Sequence, residues 1–280
     1  MELRRDDGTV IAVDNCGDQD ATPVLFCHGL ADSRLAARWF GRAAAGLGLR
    51  LIAPDRPGVG GTEPHRMTRV VDWVEDARLV LDAFGIETAA LLGVSGGGPF
   101  AAACAASMPG RVRSLTLVSP LGSPGWPTRG MAPGERLSLA FARHAPQVSG
   151  WCLGRLGALA RHRPRLYFRL IATSLPDIDN RVLGQPGRRE LFVTSYTEAF
   201  RRGSQGVAQD LRLLTRPWGF DVGAIKVPAS IHHGDADTTV PLQHARLFGD
   251  AIPGARLQIH HGHGHFSIYE AARELLASLA

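Results

Sequence analysis

A serine in a glycine-rich turn is the residue of this chain best suited to covalent chemistry. An apolar run starting at Thr88 ends in the pattern Gly-Val-Ser-Gly-Gly over residues 93–97, and an alanine-rich segment follows from Pro99. This order predicts a strand, a sharp turn and a helix, with Ser95 in a strained backbone conformation that the flanking glycines permit. N–H groups at the helix start would face negative charge formed on Ser95. The pattern predicts a nucleophile, although alone it also fits a turn without chemistry.

A serine hydroxyl reacts only when a base within hydrogen-bond reach takes its proton and an acid orients that base. Four of the 11 histidines cluster after the last predicted strand, at the sheet edge expected to carry Ser95: His260, His261, His263 and His265. Two aspartates, Asp235 and Asp237, follow the preceding strand. Asp235 fits a turn-forming role, because aspartate side chains readily bond nearby main-chain N–H groups. Spacing therefore predicts a Ser-His-Asp site but leaves the base open.

Alternating strands and helices must bring these residues to one edge of a sheet. Thr9–Val13 predicts an edge strand, and short apolar runs predict buried strands at 24–27, 49–53, 88–92 and 114–118. Helices are predicted over 70–84, where apolar residues recur at helical spacing, and over 99–107. The alternation indicates an α/β class protein with a doubly wound, mostly parallel sheet, which binds ligands at the carboxyl ends of its strands.

Between residues 121 and 221 this alternation stops. Helical spacing there predicts five helices separated by proline and glycine, at 134–145, 148–160, 165–174, 189–202 and 204–214. Sheet character returns with strands at 227–231 and 256–259, a helix over 242–251, and a last helix opening with a capping box from Ser267 to Glu270. We therefore predict an α/β core of residues 1–120 and 222–280 with an all-helical insertion over 121–221.

Composition excludes several classes of protein. The 280 residues, 45% of them hydrophobic, can bury one large core. The uncharged stretch 88–110 is long enough for a membrane span, but the turn at 96–99 breaks it, so we predict no membrane association. Scattered cysteines and the absence of an apolar leader predict a cytoplasmic protein with reduced thiols. No metal-ligand spacing or dinucleotide fingerprint occurs, so we predict no metal and no cofactor.

Positive charge is concentrated in the middle of the chain. Residues 121–224 hold 15 arginines and seven acidic residues, a net charge of +8, whereas the remainder holds 16 basic and 19 acidic residues, a net charge of −3. No run of like charges favours nucleic-acid binding. Two interpretations remain open. The arginines either form a solvated outer face or attract a small-molecule acyl substrate that is anionic or carrier-bound.

Taken together, the motifs make the chain resemble the α/β-hydrolase fold superfamily over nearly its whole length. The resemblance rests on four separated motifs in the family's order, which are His28-Gly29, the serine turn at 93–97, the segment 234–241 and the segment 262–266. By this resemblance, the helical insertion corresponds to the family's cap, which closes over the active site.

The resemblance also implies roles for individual residues. Ser95 would be the nucleophile, His265, at the family's Gly-His-Phe position, the base, and Asp237 the orienting acid. The main-chain N–H groups of Leu30 and Gly96 would form the oxyanion hole. His263 and Asp235 stay as alternatives for the base and the acid.

Residues at other motif positions of the family indicate structural roles and exclude some of its subclasses. His28 is expected to brace the neighbouring loops, and Asp55 and Arg56 match a structural turn of the family. The segment 119–124, where some members carry the acid, has no carboxylate. A serine at the turn also argues against haloalkane dehalogenases and epoxide hydrolases, which carry aspartate there.

Three functions follow from this interpretation. The first is a serine hydrolase that cleaves a carboxylic ester, lactone or thioester through an acyl-enzyme. The second is a non-hydrolytic enzyme of the same fold, such as a lyase, cyclase or acyltransferase of secondary metabolism. The third is a catalytically silent binding protein, against which the complete set of Ser95, His265 and Asp237 argues. Fold alone does not separate the first two.

Overall fold

An eight-stranded sheet lies at the centre of the molecule, whose computed structural model describes residues 1–280. Most strands are short apolar runs because helices cover both faces of the sheet. Numbered along the chain, they are β1 (Glu2–Arg4), β2 (Val10–Cys16), β3 (Thr22–Cys27), β4 (Leu49–Pro54), β5 (Ala89–Val94), β6 (Val112–Val118), β7 (Ala229–Gly234) and β8 (Arg256–His260).

The strand order is β1-β2-β4-β3-β5-β6-β7-β8, and the six strands from β4 to β8 in this order run parallel. This confirms the predicted mostly parallel, doubly wound sheet. The chain reverses its winding direction at β3, which lies between β4 and β5, so a crevice opens at their carboxyl ends. Strand β5 ends at that crevice.

The antiparallel side of the sheet differs from the prediction. Strand β2 pairs antiparallel with β4, and the three-residue strand β1 pairs antiparallel with β2. The prediction of an edge strand at 9–13 was therefore wrong, because β1 covers that edge. A strand with a single apolar residue carries no periodicity from which it could be predicted.

Helices pack on both faces of the sheet. On one face lie α2 (Trp73–Ala83), α3 (Gly98–Ser107) and α10 (Leu242–Ala251); α1 (Gly41–Ala45) and α11 (Ala272–Leu276) lie on the other. Alternate residues of β3 enter the two cores, with Leu25 in the first and Val24 and Phe26 in the second. All three side chains are fully buried, so β3 lies between the two cores and contributes side chains to both.

Six helices fill the stretch between β6 and β7. They are α4 (Pro133–His144), α5 (Pro146–His162), α6 (Pro164–Ala172), α7 (Asp177–Gly184), α8 (Pro186–Ala199) and α9 (Gln205–Leu214), and they are called the helical insertion below. Four of them begin at proline, which fits the first helical position because its missing N–H needs no partner there. The sequence predicts all of them except α7, whose polar start hides its short apolar face. The division of domains at 121 and 221 stays a prediction.

The carboxyl-terminal helix is broken into short pieces rather than continuous. A 3₁₀ helix spans Ser267–Ala271, α11 follows, and a second 3₁₀ turn spans Ala277–Leu279. The predicted capping box is absent, because Phe266 occupies the cap position and the Ser267 hydroxyl instead accepts a hydrogen bond from Gly264 N–H at 2.7 Å. Ser267 therefore orders the preceding loop, not the helix. None of the helices in the chain has the length and apolar character needed to cross a membrane.

Candidate active site

Ser95 lies at the tip of a sharp turn between β5 and α3, with φ at 53°. Glycine is needed on both sides of Ser95 because a side chain there would clash with neighbouring elements, not with Ser95 itself. A Cβ on Gly97 would stand 2.1 Å from the carbonyl oxygen of Cys27, and one on Gly93 would stand 2.7 Å from Cβ of Ala101. Only glycine at these two positions lets the turn pack against β3 and α3.

The structure brings Ser95, His265 and Asp237 into one hydrogen-bonded chain. His265 Nε2 lies 3.0 Å from Ser95 Oγ, and His265 Nδ1 lies 2.7 Å from Asp237 Oδ2. Because an ionised carboxylate only accepts, Nδ1 carries the proton and donates it, which leaves Nε2 free to accept the serine proton. This is the geometry in which a histidine can act as a base towards a serine hydroxyl.

Asp237 is buried and almost fully occupied by donors. Its Oδ1 accepts hydrogen bonds from Thr239 N–H at 2.8 Å and Val240 N–H at 2.9 Å. Burial raises the pKa of Asp237, but the His265 charge and hydrogen bond, His233 and the Val240 N–H outweigh it, so the pKa lies below the ordinary aspartate value. Asp237 is held ionised in a fixed orientation.

The electrostatic surroundings of His265 favour its protonated form. Burial lowers the pKa of His265, but the charge and hydrogen bond of Asp237, together with the charges of Asp179 and Glu135, raise the pKa above the ordinary histidine value. An imidazolium formed when the serine proton is taken would therefore be stabilised where it arises.

The two residues whose main-chain N–H groups are expected to form an oxyanion hole lie next to each other. The Leu30 nitrogen stands 3.0 Å from the position that a Cβ on Gly96 would take, and the Leu30 N–H has no main-chain acceptor within the protein. Leu30, Ser95 and Gly96 all line one cavity. An N–H pair placed here can face an oxygen bonded to a carbon on Ser95.

His28 and Arg56 brace the loop that carries Leu30. The Arg56 guanidinium donates to the carbonyl oxygens of His28 at 2.6 Å and Gly29 at 2.8 Å, and it pairs with Asp210 of α9 at 2.8 Å. His28 Nδ1–H donates to Gly29 O at 2.9 Å. Because all these groups are buried, the loop is fixed to both the sheet and the helical insertion.

The alternative residues for base and acid lie elsewhere. Asp235 accepts from exposed His261 at 2.8 Å and from Gly262 N–H at 2.7 Å, so it orders the turn after β8. His263 Nδ1 bonds the His261 carbonyl at 3.1 Å, and His260 Nε2 lies 3.1 Å from a histidine of β7. None of these four side chains lines the cavity beside Ser95.

A cavity of about 280 Å³ opens beside Ser95, between the sheet edge and the helical insertion. Fifteen of its 23 lining residues are hydrophobic, and they come mainly from the helices of the insertion. The aromatic members are Tyr167, Tyr196 and Phe266. The volume lies near the lower end of ordinary small-molecule pockets, which run from roughly 300 to 1,000 Å³.

Asp179 of α7 is a site residue that the sequence does not reveal. Its carboxylate is buried and accepts three main-chain N–H groups, from His265 at 2.9 Å, Phe266 at 3.0 Å and Ser267 at 2.8 Å. A Cβ on Gly264 would stand 2.5 Å from Asp179 Oδ2, so the loop approaches the carboxylate as closely as a glycine allows. One side chain of the helical insertion thus fixes the histidine loop.

We expect the change Asp179→Asn to loosen the loop that carries His265 and so to lower kcat of a reaction that uses Ser95 and His265 by about tenfold to a hundredfold, since an amide cannot accept from all three N–H groups. The charge of Asp179 raises the pKa of His265. Its loss should therefore lower that pKa, and with it the pH at which a rate that needs neutral His265 reaches half of its maximum. Steady-state kinetics over a pH series measures both effects. Asp177→Asn, an exposed site on the same helix, is the matched control. An unchanged kcat and midpoint would contradict this role.

Comparisons with known proteins agree on the fold. The family model described as alpha/beta hydrolase fold matches residues 22–272. A curated relative, the 2-hydroxymuconate semialdehyde hydrolase of Pseudomonas putida, is 29% identical over 230 residues, covering 80% of this chain and 73% of the relative.

Two solved structures are similar over nearly the whole chain. The esterase RhEst1 from Rhodococcus sp. ECU1013 has a TM-score of 0.68 at 22% identity, covering 100% of this chain and 99% of the other. The enol-lactonase from Burkholderia xenovorans LB400 has a TM-score of 0.70 at 18% identity, covering 99% of this chain and 97% of the other. At such low identities the structural similarity establishes the fold alone.

Proposed function

The chain belongs to the alpha/beta hydrolase fold family, and on this basis we propose that it is a serine hydrolase acting on a carboxylic ester, lactone or thioester through an acyl-enzyme. The observation that carries the proposal is the continuous chain of hydrogen bonds from Ser95 through His265 to Asp237, at 3.0 and 2.7 Å. A glycine-flanked turn holds the serine in a strained conformation, and the serine lines a cavity.

In the proposed reaction, Ser95 Oγ attacks the carbonyl carbon of the substrate while His265 Nε2 takes the hydroxyl proton. The negative charge on the carbonyl oxygen faces the N–H groups of Leu30 and Gly96. His265 then gives its proton to the departing alcohol or thiol, which leaves an ester on Ser95. A water molecule then attacks the carbonyl carbon of this acyl-enzyme while His265 takes its proton. His265 returns the proton to Ser95 as the carboxylic acid leaves.

The substrate is proposed to be a small-molecule acyl compound that fits a mainly apolar cavity of about 280 Å³. The curated relative at 29% identity, a semialdehyde hydrolase, supports hydrolysis over lyase or cyclase chemistry. No metal or organic cofactor takes part in the proposed steps.

The direct test is intact mass spectrometry after exposure to a fluorophosphonate, combined with hydrolysis of p-nitrophenyl esters of graded chain length. We expect a single adduct on Ser95 and turnover of short to medium acyl chains. The absence of both labelling and turnover would overturn the proposal. Release of the acyl group to an acceptor other than water would overturn hydrolysis alone.

The proposed mechanism predicts a single ascending limb in the pH dependence of kcat/KM. Only neutral His265 can accept the serine proton, so kcat/KM rises with pH below the pKa of His265 and levels off above it. Because the surroundings of His265 raise its pKa, we expect the midpoint of the limb above the ordinary histidine value of about 6.5. Initial rates at saturating and limiting ester concentrations measure it. A rate that falls through this range would indicate catalysis by a protonated group.

A further inference from the structure

Glu135 is a carboxylate in the cavity beside Ser95 whose charge raises the pKa of His265 but which contacts no substrate atom in the proposed mechanism. It lies in the first turn of α4, where the helix dipole favours negative charge, and it lines the cavity together with Ser95 and His265. Its side chain is half-buried and makes no ion pair with any residue of the protein. A carboxylate in such a place can accept a hydrogen bond from a molecule that enters the cavity.

The rest of the cavity supplies no positive charge to pair with Glu135. Apart from His265, its polar side chains are neutral hydroxyls: Ser95, Ser138, Ser174, Tyr167, Tyr196 and Thr239. No arginine or lysine lines it. The charge of His265 is itself directed towards Asp237 at 2.7 Å, so it does not satisfy Glu135.

The arginines of residues 121–224 face away from this cavity. Thirteen of the 15 are exposed, Arg188 and Arg212 are half-buried, and none lines the cavity. Their arrangement fits the solvated outer face considered from the sequence. Glu135 is therefore the one carboxylate among the residues that line the cavity, and its charge, like those of Asp237 and Asp179 beside His265, opposes the entry of an anionic group.

We propose that Glu135 is a specificity-determining residue that binds an N–H or O–H donor on the substrate, so that the enzyme prefers esters carrying an ammonium or hydroxyl group over those carrying a carboxylate. This inference rests on the proposed hydrolase function only for the position of the scissile bond at Ser95. The apolar lining contacts the hydrocarbon part of the substrate, and Glu135 fixes its polar end.

The test measures binding rather than turnover. The probes are hexylammonium, 1-hexanol and hexanoate, which share one chain length, and their dissociation constants are obtained from the rise in unfolding temperature over a titration at pH 7. For the wild-type protein we expect hexylammonium to bind at least about tenfold more tightly than hexanoate, as a hydrogen bond to a charged group implies. If 1-hexanol binds more tightly than hexylammonium, Glu135 prefers a hydroxyl donor, and if it binds more weakly, Glu135 prefers an ammonium donor.

In Glu135→Gln the dissociation constant of hexylammonium should rise about tenfold or more, whereas that of hexanoate should not rise. Glu190→Gln is the matched control, because it makes the same change at an exposed position of α8, and it should keep the wild-type order. If Glu135→Gln does not fold, Glu135→Asp replaces it. The order of the three dissociation constants measured for the wild-type protein tests the inference in either case.

Equal binding of hexanoate and hexylammonium by the wild-type protein, or an unchanged preference in Glu135→Gln, would overturn the inference. The outcome is separate from that of the proposed function. A protein that selects hexylammonium but is not labelled by a fluorophosphonate would contradict the hydrolase assignment alone. A labelled protein without the preference would contradict the role of Glu135 alone.

Discussion

Replacing Ser95 by alanine should lower kcat for ester hydrolysis by about a millionfold while the protein stays folded. The change removes the only atom to which the acyl group is transferred in the proposed mechanism. The residual rate should exceed that of water by about 10³ to 10⁴, because binding and the N–H groups of Leu30 and Gly96 still act. Kinetics on a p-nitrophenyl ester measures the loss, and circular dichroism checks the fold.

The base can be tested beside the nucleophile. His265→Ala should lose nearly as much activity as Ser95→Ala, and the double variant should lose little more, because the two residues act as a unit. His263→Ala is the control, since its ring bonds the His261 carbonyl and lies outside the cavity. If His263→Ala abolishes hydrolysis and His265→Ala does not, the assignment of the base is wrong.

The second large effect is expected for Asp237→Asn, which should lower kcat by about 10⁴. The Asn amide group would present a donor to His265 Nδ1, and the ring would then carry its proton on Nε2, the atom that must accept from Ser95. The N–H groups of Thr239 and Val240 still have an oxygen to bond, so the loop should keep its shape.

Asp235→Asn provides the matched control for this variant. It changes the same residue type two positions earlier, where the carboxylate bonds exposed His261 and Gly262 instead of the candidate base. Activity should stay close to that of the wild type. Loss of activity in Asp235→Asn with retention in Asp237→Asn would transfer the acid role to Asp235.

Much of the sheet and of the serine turn could be predicted because local signals specify them. Glycine at 93 and 97, the apolar run of β5 and the alanine-rich α3 belong to one short stretch, so pattern and structure agree. Parallel strands also predict that the loops after β7 and β8 reach the edge that carries Ser95, but the choice of His265 and Asp237 within those loops rests on the resemblance to the family. The helix α10 has the predicted bounds, 242–251, because its apolar spacing is regular.

Residues whose roles depend on long-range contacts could not be predicted. Asp179 lies 86 positions before His265, and nothing in its neighbourhood indicates that its carboxylate meets three distant N–H groups. Glu135 is an ordinary first-turn glutamate in the sequence, and only the folded chain turns it towards Ser95. Ser267 fits a capping pattern, but the Gly264 N–H competes successfully for its hydroxyl.

Because Asp179 bonds the loop that carries His265, the position of α7 and the position of His265 are coupled. If docking of α7 strengthens the binding of a ligand that holds His265 beside Ser95, then that ligand stabilises docked α7 by an equal free energy, because coupling is reciprocal. Conversely, a fluctuation that lifts α7 releases three N–H groups of that loop and withdraws the base. An open state of the helical insertion would thus be inactive even with substrate present, and hydrogen exchange in α7 should slow when Ser95 carries a covalent adduct.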